Sequence, residues 1–183
     1  MIALTRMNRV LKIDPRNRRA LVEAGCVNAW ITRNASAHGL FYAPDPSSQT
    51  ACTIGGNIAT NSGGSHTLKN GVTTHHVLGY EIVLPDGTIE WLGVEPDGDE
   101  NVAGFDLHGA AIGSEGIFGV LTRVLVRLLK TPPAFKTFLC VFESVDHVSQ
   151  TVSGIIAAGI EPTALEMMDQ LITSPTTWLT RRE

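Results

Sequence analysis

Two stretches of this sequence gather residues able to hold a ligand through backbone and short polar side chains. One runs Pro44-Asp45-Pro46-Ser47-Ser48-Gln49-Thr50-Ala51-Cys52-Thr53-Ile54-Gly55-Gly56-Asn57-Ile58-Ala59-Thr60-Asn61-Ser62-Gly63-Gly64, the other Gly113-Ser114-Glu115-Gly116-Ile117-Phe118-Gly119-Val120. Glycine removes the side chain between a backbone N–H and a ligand, and the hydroxyls and amides alongside can donate to a pyrophosphate or to the edge of a ring. Of the 18 glycines, 14 fall between Gly55 and Gly119, with Ile, Val, Leu and Trp interleaved, so neither a collagen period nor a flexible linker explains them. Two familiar phosphate fingerprints are absent: there is no Gly-x-Gly, and Lys is never followed by Ser or Thr after a Gly. From the residues alone, a cofactor cradle and a set of ordinary tight turns both stay open.

Other chemistries find less support. His75 and His76 are neighbours, and in extended backbone neighbours point to opposite faces, so the pair makes a poor metal site. Ser114 lacks the Gly-x-Ser-x-Gly setting of a nucleophile elbow. Asp86 belongs to a turn, and Glu166 reads as a solvated acid near the end of the chain. Glu115, between glycines, suits backbone N–H groups as well as a ligand. Arg123 and Arg127 share one strand face and suit solvent or a subunit contact. Cys26, Cys52 and Cys140 are odd in number and far apart, which excludes a disulfide framework and leaves buried reduced thiols as the expectation.

The elements that must position the two clusters can be read from hydrophobic period and turn residues. Strands over 10–14 and 19–24, joined by Pro15-Arg16-Asn17-Arg18, form a hairpin. A helix is expected over 28–38, with Asn28 as its N-cap and Gly39 as its left-handed end. Residues 41–71 cannot be one long regular element. Val77 to Leu84 and Thr88 to Leu92 flank the turn Pro85-Asp86-Gly87, a second hairpin, followed by a polar loop through Asn101. A short helix over 105–112 precedes the second glycine cluster, and Val120 to Leu128 alternates as a half-exposed strand. After Thr131-Pro132-Pro133 glycine becomes scarce, and the pattern reads as a strand over 135–142, a helix capped by Ser144 and carrying Val145, Val148, Val152, Ile155 and Ile156, and an extended stretch from Thr163 to Met167. The tail from Ser174 has no periodicity.

The whole chain is 183 residues with 43% hydrophobic and 17% charged residues, values of a folded domain rather than a disordered one. The net charge of −4 offers no dense basic face for nonspecific nucleic-acid binding. Arg6, Arg9 and Lys12 interrupt the opening apolar residues, which leaves no signal-peptide core, and no stretch reaches the ~20 apolar residues of a membrane span. A cytoplasmic location is the expectation.

Taken in order, Pro44-Asp45-Pro46-Ser47-Ser48, Cys52-Thr53-Ile54-Gly55-Gly56-Asn57, Asn61-Ser62-Gly63-Gly64, Lys69-Asn70-Gly71-Val72-Thr73, Leu84-Pro85-Asp86-Gly87, Gly113 to Gly119 and Leu165-Glu166-Met167-Met168-Asp169 closely resemble the FAD-linked oxidase family with the vanillyl-alcohol-oxidase fold. The likeness is greatest to the FAD subunits of bacterial glycolate oxidases and to D-lactate and D-2-hydroxyglutarate dehydrogenases. It implies an α+β architecture: a PCMH-type FAD-binding domain, represented by its second α/β subdomain over 1–132, followed over 133–183 by the start of an α+β cap domain that holds substrate. It also implies that Pro44, Asp45, Pro46, Thr53, Ile54, Gly55, Gly56, Asn57, Thr60, Asn61, Ser62 and Gly63 follow the FAD pyrophosphate toward the isoalloxazine. Glu115, Gly116, Gly119 and Val120 would line the flavin with main-chain groups. No catalytic residue and no metal ligand is assigned.

The chemistry implied by the resemblance is transfer of the α-hydrogen of a small D-2-hydroxy acid, of glycolate or D-lactate type, as hydride to the flavin. Implied partners are further oxidase subunits, among them an iron–sulfur electron acceptor, through which the chain would sit peripherally at the inner membrane. Family members have a further glycine-rich FAD-binding portion upstream and a longer substrate region downstream, and the likeness fades at Ile172. The chain is therefore expected to be an internal fragment or truncated product that is inactive alone. The alternatives are a non-catalytic module that pairs with a partner chain and, further off, a flavin-independent structural protein.

Overall fold

A computed structural model describes residues 2–98 and 105–168. Two antiparallel hairpins and one long strand build a five-stranded sheet. Strand β1 (Val10–Asp14) pairs with β2 (Arg19–Glu23), and β4 (Val77–Val83) pairs with β5 (Ile89–Gly93). Strand β6 (Val120–Arg127) inserts between the hairpins, antiparallel to both β2 and β4, so the order is β1-β2-β6-β4-β5. A two-residue strand β3 (Leu40–Phe41) pairs with β7 (Leu129–Lys130) in a small second sheet. Both expected hairpins and the expected long strand are present.

Alternation decides the faces, because successive side chains of a strand point to opposite sides. Ala20 and Val22 of β2, Tyr80 and Ile82 of β4, and Val124 and Val126 of β6 lie in one buried cluster with residues of the helices. On the opposite face Leu21, Leu78, Trp91, Val94 and Leu125 form a smaller cluster. Here β6 departs from the expected half-exposed strand: Leu125, between the two arginines, is buried, because Trp91 and Val94 pack over it. Arg123 does not simply face solvent either. Cross-strand register sets it opposite Glu81, whose carboxylate accepts from its guanidinium Nε at 2.9 Å and from its Nη2.

Helix α1 (Asn28–Ala35) continues as a 3-10 turn through His38 and ends at left-handed Gly39, in agreement with the pattern. The expected cap is displaced by one residue. Val27 occupies the N-cap, and Asn28, the first helical residue, turns its side chain into the protein. The loop-rich region holds two short helices, α2 (Ile54–Thr60) and α3 (Thr67–Asn70). Helix α4 (Leu107–Ala111) is capped by the Asp106 carboxylate, which accepts from the Gly109 N–H at 2.7 Å. The buried Tyr80 hydroxyl donates to the His108 carbonyl at 2.7 Å and ties α4 to the sheet.

Beyond β7 the expected strand over 135–142 does not form, and its apolar side chains, Phe135, Phe138, Leu139 and Val141 among them, are exposed. Alternation makes a strand only when another strand completes its ladder, and none of the described residues does so here. Helix α5 (Val145–Ala157) does form, with Ser144 as N-cap accepting from the His147 N–H at 3.3 Å, yet it buries no residue fully. Cys26 is buried, Cys52 half-buried and Cys140 exposed, which corrects the expectation of three buried thiols. The stretch 163–167 is described without a strand partner, and part of the polar loop toward Asn101, Asp169 and the tail from Ser174 lie outside the described residues.

Candidate functional site

The first glycine cluster is hung from the end of β2. The Gly55 N–H donates to Ala24 O at 2.8 Å, the Ile54 N–H to Cys26 O at 2.9 Å and the Asn28 N–H to Cys52 O at 3.0 Å. These bonds fix the start of α2 and occupy its first two N–H groups. The Asn57 N–H donates to Thr53 O at 3.0 Å. The Gly56 N–H then has no protein partner among the described residues, and Gly56 lies exposed. A Cβ placed there would meet only Thr53 Oγ1, at 3.5 Å. Glycine in a helix interior is unfavourable by about 0.5–1 kcal/mol relative to Ala, and here no neighbouring atom of the protein requires it.

A buried amide pair sets the depth of this segment. Asn57 Nδ2 donates to Asn28 Oδ1 at 2.9 Å, and Asn28 Nδ2 donates to the Pro44 carbonyl at 2.9 Å. One pair of side chains thereby joins α1, α2 and the start of the Pro44–Pro46 loop. That loop is held at its next residue as well: Asp45 Oδ2 lies 2.5 Å from His66 Nδ1. The Ser62 and Thr73 side chains lie 3.4 Å apart, and Asn61 Oδ1 accepts from the Thr74 N–H at 2.9 Å. Of the expected cradle residues, Pro44, Pro46, Ile54 and Asn57 are buried, while Gly56 and Thr60 are exposed.

The second cluster docks on the far end of α2. The Gly113 N–H donates to Ile58 O and the Glu115 N–H to Ala59 O, each at 2.8 Å. This brings together two segments more than fifty residues apart. Glu115 and Gly116 both sit in the left-handed region, at φ +55° and +80°. At Gly116 nothing lies within 4 Å of the point where a Cβ would stand, so its backbone is bare to the outside as at Gly56. Gly56 precedes Ala59 by three residues, about 4.5 Å of helix rise, so the two bare glycines flank one short stretch of surface. Gly119 differs: a Cβ there would lie 2.5 Å from the Val83 carbonyl oxygen, and Val120 pairs with Val83. Close strand approach already accounts for that glycine.

Burial shifts four titratable groups in and around the core beneath the site. Burial pushes the Cys26 thiol up to about 11 and, with the nearby Asp106, the Tyr80 phenol up to about 12. Burial holds the His76 and His108 imidazoles below their ordinary value. No three His, Cys, Asp or Glu side chains among the described residues are grouped to hold a metal. The surface therefore offers backbone donors and shape, which suits a cofactor that carries its own reactivity. Bare N–H groups at Gly56 and Gly116 and the short polar side chains beside them fit the phosphate and ring edges of FAD. Sequence reading had no signal for the Asn28–Asn57 pair or for Asp45–His66, since each partner is identified only by folding.

Comparison with known proteins identifies the family of the chain. A family model described as an FAD binding domain matches residues 1–93, and one described as the C-terminal domain of FAD linked oxidases matches residues 131–174. The chain is 45% identical over 171 residues to the glycolate oxidase subunit GlcD of Escherichia coli (strain K12), covering 93% of this chain and 34% of that protein. It is 46% identical over 164 residues to GlcD of Bacillus subtilis (strain 168), covering 90% and 34%, and 32% identical over 176 residues to a D-lactate dehydrogenase of Anaerostipes hadrus, covering 96% and 36%. The chain thus spans about a third of the length of these relatives. Among solved structures, an alkyldihydroxyacetonephosphate synthase superposes with a TM-score of 0.70 at 26% identity, over 87% of this chain and 28% of that one. The α+β architecture, the motif order and a family match over half of the chain agree, and the chain belongs to the FAD-binding-domain family of the FAD-linked oxidoreductases.

Proposed function

We propose that this chain supplies the FAD-facing cradle of an oxidoreductase acting on a small D-2-hydroxy acid of glycolate or D-lactate type. The observation that carries the reading is the pair of glycines with unpartnered N–H groups among the described residues, Gly56 on α2, where a Cβ would meet only Thr53 Oγ1 in ordinary contact, and Gly116 on the loop docked to it, where a Cβ would meet nothing. Bound FAD would supply the hydride acceptor for the hydroxy acid. The chain's own part is to bind and orient: Gly56 and Gly116 present backbone N–H groups to the cofactor, the Thr60 hydroxyl donates to the Gly56 carbonyl at 3.1 Å, and Asn28 with Asn57 holds α2 at the right depth. Residues 1–132 form this cradle and residues 133–183 begin the region that covers substrate. Names among the relatives support further oxidase subunits. An iron–sulfur acceptor among them would place the assembly against the inner membrane without a span of its own, and no described helix is long and apolar enough to cross one.

The test is FAD titration of the chain followed by flavin fluorescence, with Gly56→Ala and Gly56→Val beside the wild type. Weak, saturable quenching that Gly56→Val abolishes is expected, while Gly56→Ala raises stability by about 0.5–1 kcal/mol. Quenching that survives Gly56→Val unchanged refutes the placement. Stoichiometric flavin that bleaches with glycolate or D-lactate would show that the chain needs no complement.

A further inference from the structure

The β1–β2 turn carries Arg16 and Arg18 in a chain whose net charge is −4, while Arg19, the first residue of β2, donates from its guanidinium to the Gly98 carbonyl at 2.8 Å. A cavity of about 500 Å3 opens at this end of the sheet, with Arg16, Arg18, His38, Lys130 and the Thr131 side of β7 among its walls. No carboxylate lines it. Asp14, the acid of the same turn, accepts instead from the Asn17 N–H at 3.1 Å and from Asn17 Nδ2 at 2.7 Å. None of Arg16, Arg18, His38 and Lys130 has a carboxylate partner among the described residues. Cations gathered without acids repel one another, and an anion between them removes that repulsion.

Backbone conformation adds an independent observation. Arg18 sits at φ +53°, a region that glycine and asparagine enter more readily than a long side chain does. Its carbonyl accepts from the Leu128 N–H at 2.7 Å, which fixes the turn against the end of β6. The fold would accept glycine here with less strain, so the backbone gives no reason for an arginine. The cavity lies at the opposite end of β2 from the glycine cluster. Strand β2 enters at Arg19 beside the cavity and leaves toward Ala24, which holds Gly55; five residues of strand span roughly 17 Å.

We infer that this cavity is an oxyanion site for a ligand carrying two or more phosphate groups, separate from the FAD cradle. Its volume lies in the ~300–1,000 Å3 range of small-molecule sites and exceeds what one phosphate fills. A soluble diphosphate and the headgroups of an acidic phospholipid surface share the required chemistry. The test uses the full chain with inorganic pyrophosphate by calorimetry, and with phosphatidylcholine vesicles with and without phosphatidylserine by co-sedimentation. Saturable, salt-sensitive binding is expected, weakened at least about fivefold by Arg16→Ala and by Arg18→Gly. Arg18→Gly keeps or raises the thermal midpoint because it relieves the left-handed strain, so its loss of binding is not a loss of fold. Arg6→Ala, at the Gly25 end of the molecule, leaves binding unchanged. Pyrophosphate binding assigns a soluble ligand, and binding confined to phosphatidylserine vesicles assigns a lipid one. Absence of saturable binding to either, binding untouched by Arg16→Ala and Arg18→Gly, or an equal loss in Arg6→Ala overturns the proposal.

Discussion

Asn28→Ala tests how α1, α2 and the Pro44 loop are tied together. The substitution removes two buried hydrogen bonds, one to the Pro44 carbonyl and one from Asn57 Nδ2, each 2.9 Å long. Such bonds contribute about 0.5–1.5 kcal/mol each, and a buried donor left without an acceptor costs about 1–3 kcal/mol. Asn57 is only 3% exposed, so water does not readily replace the lost acceptor. A loss near 3 kcal/mol follows, which at a urea slope of about 2 kcal/mol/M moves the midpoint by roughly 1.5 M. Asn57→Ala alone is expected to cost about 2 kcal/mol, and the double variant less than the sum, with a coupling of about 1–2 kcal/mol. Urea unfolding of the four proteins measures this, and hydrogen exchange at the Ile54 amide, which bonds to Cys26 O, reports whether the start of α2 loosens first. A cost below about 0.5 kcal/mol for Asn28→Ala, with additive single variants, would refute the idea that this pair sets the depth of the cradle.

Gly119→Ala is expected to cost about 1–3 kcal/mol, because its Cβ would sit 2.5 Å from the Val83 carbonyl oxygen and force β4 and the start of β6 apart; an unchanged thermal midpoint would show that the loop adjusts freely. Acid should act in two stages. Burial holds His76 and His108 below the ordinary 6.5, so the unfolded chain takes up these protons more readily, and stability present above that value is lost as pH falls through the lower folded-state values. Hydrogen bonds from Arg9 and Arg123 hold Glu23 and Glu81 below 4.5, so a further loss begins as pH drops past that value. Urea midpoints measured across this range check both stages, and a midpoint that does not change on acidification from about pH 7.5 to 5.5 contradicts the first.

Local pattern made much of the scaffold legible. Apolar alternation and Pro-Asp-Gly or Pro-Arg-Asn turns announced the two hairpins, and 3.6-residue spacing with Ser144 ahead of it announced α5. Those signals act within a few residues, where backbone sterics and side-chain period decide the outcome. They misled over 135–142, where the alternation is present but no partner strand is found among the described residues. Asn28 misled in another way: a short amide at a helix start suits a cap, yet a buried acceptor and donor from distant segments drew it inside.

For the cradle, residue types alone concentrated 14 glycines between residues 55 and 119 and left two uses for them open, tight turns and close approach to a ligand. They also determined the family through the order of short motifs. Tertiary structure decided which glycines have a neighbour that explains them. Gly119 answers to the strand beside it and Gly116 to its left-handed backbone, whereas Gly56 answers to no crowding or strain inside the protein, and the hydrogen bonds from Gly113 and Glu115 dock the loop that carries Gly116 onto α2. Contacts between residues fifty positions apart carry no local period, so only the packed sheet and the helices it anchors could reveal them.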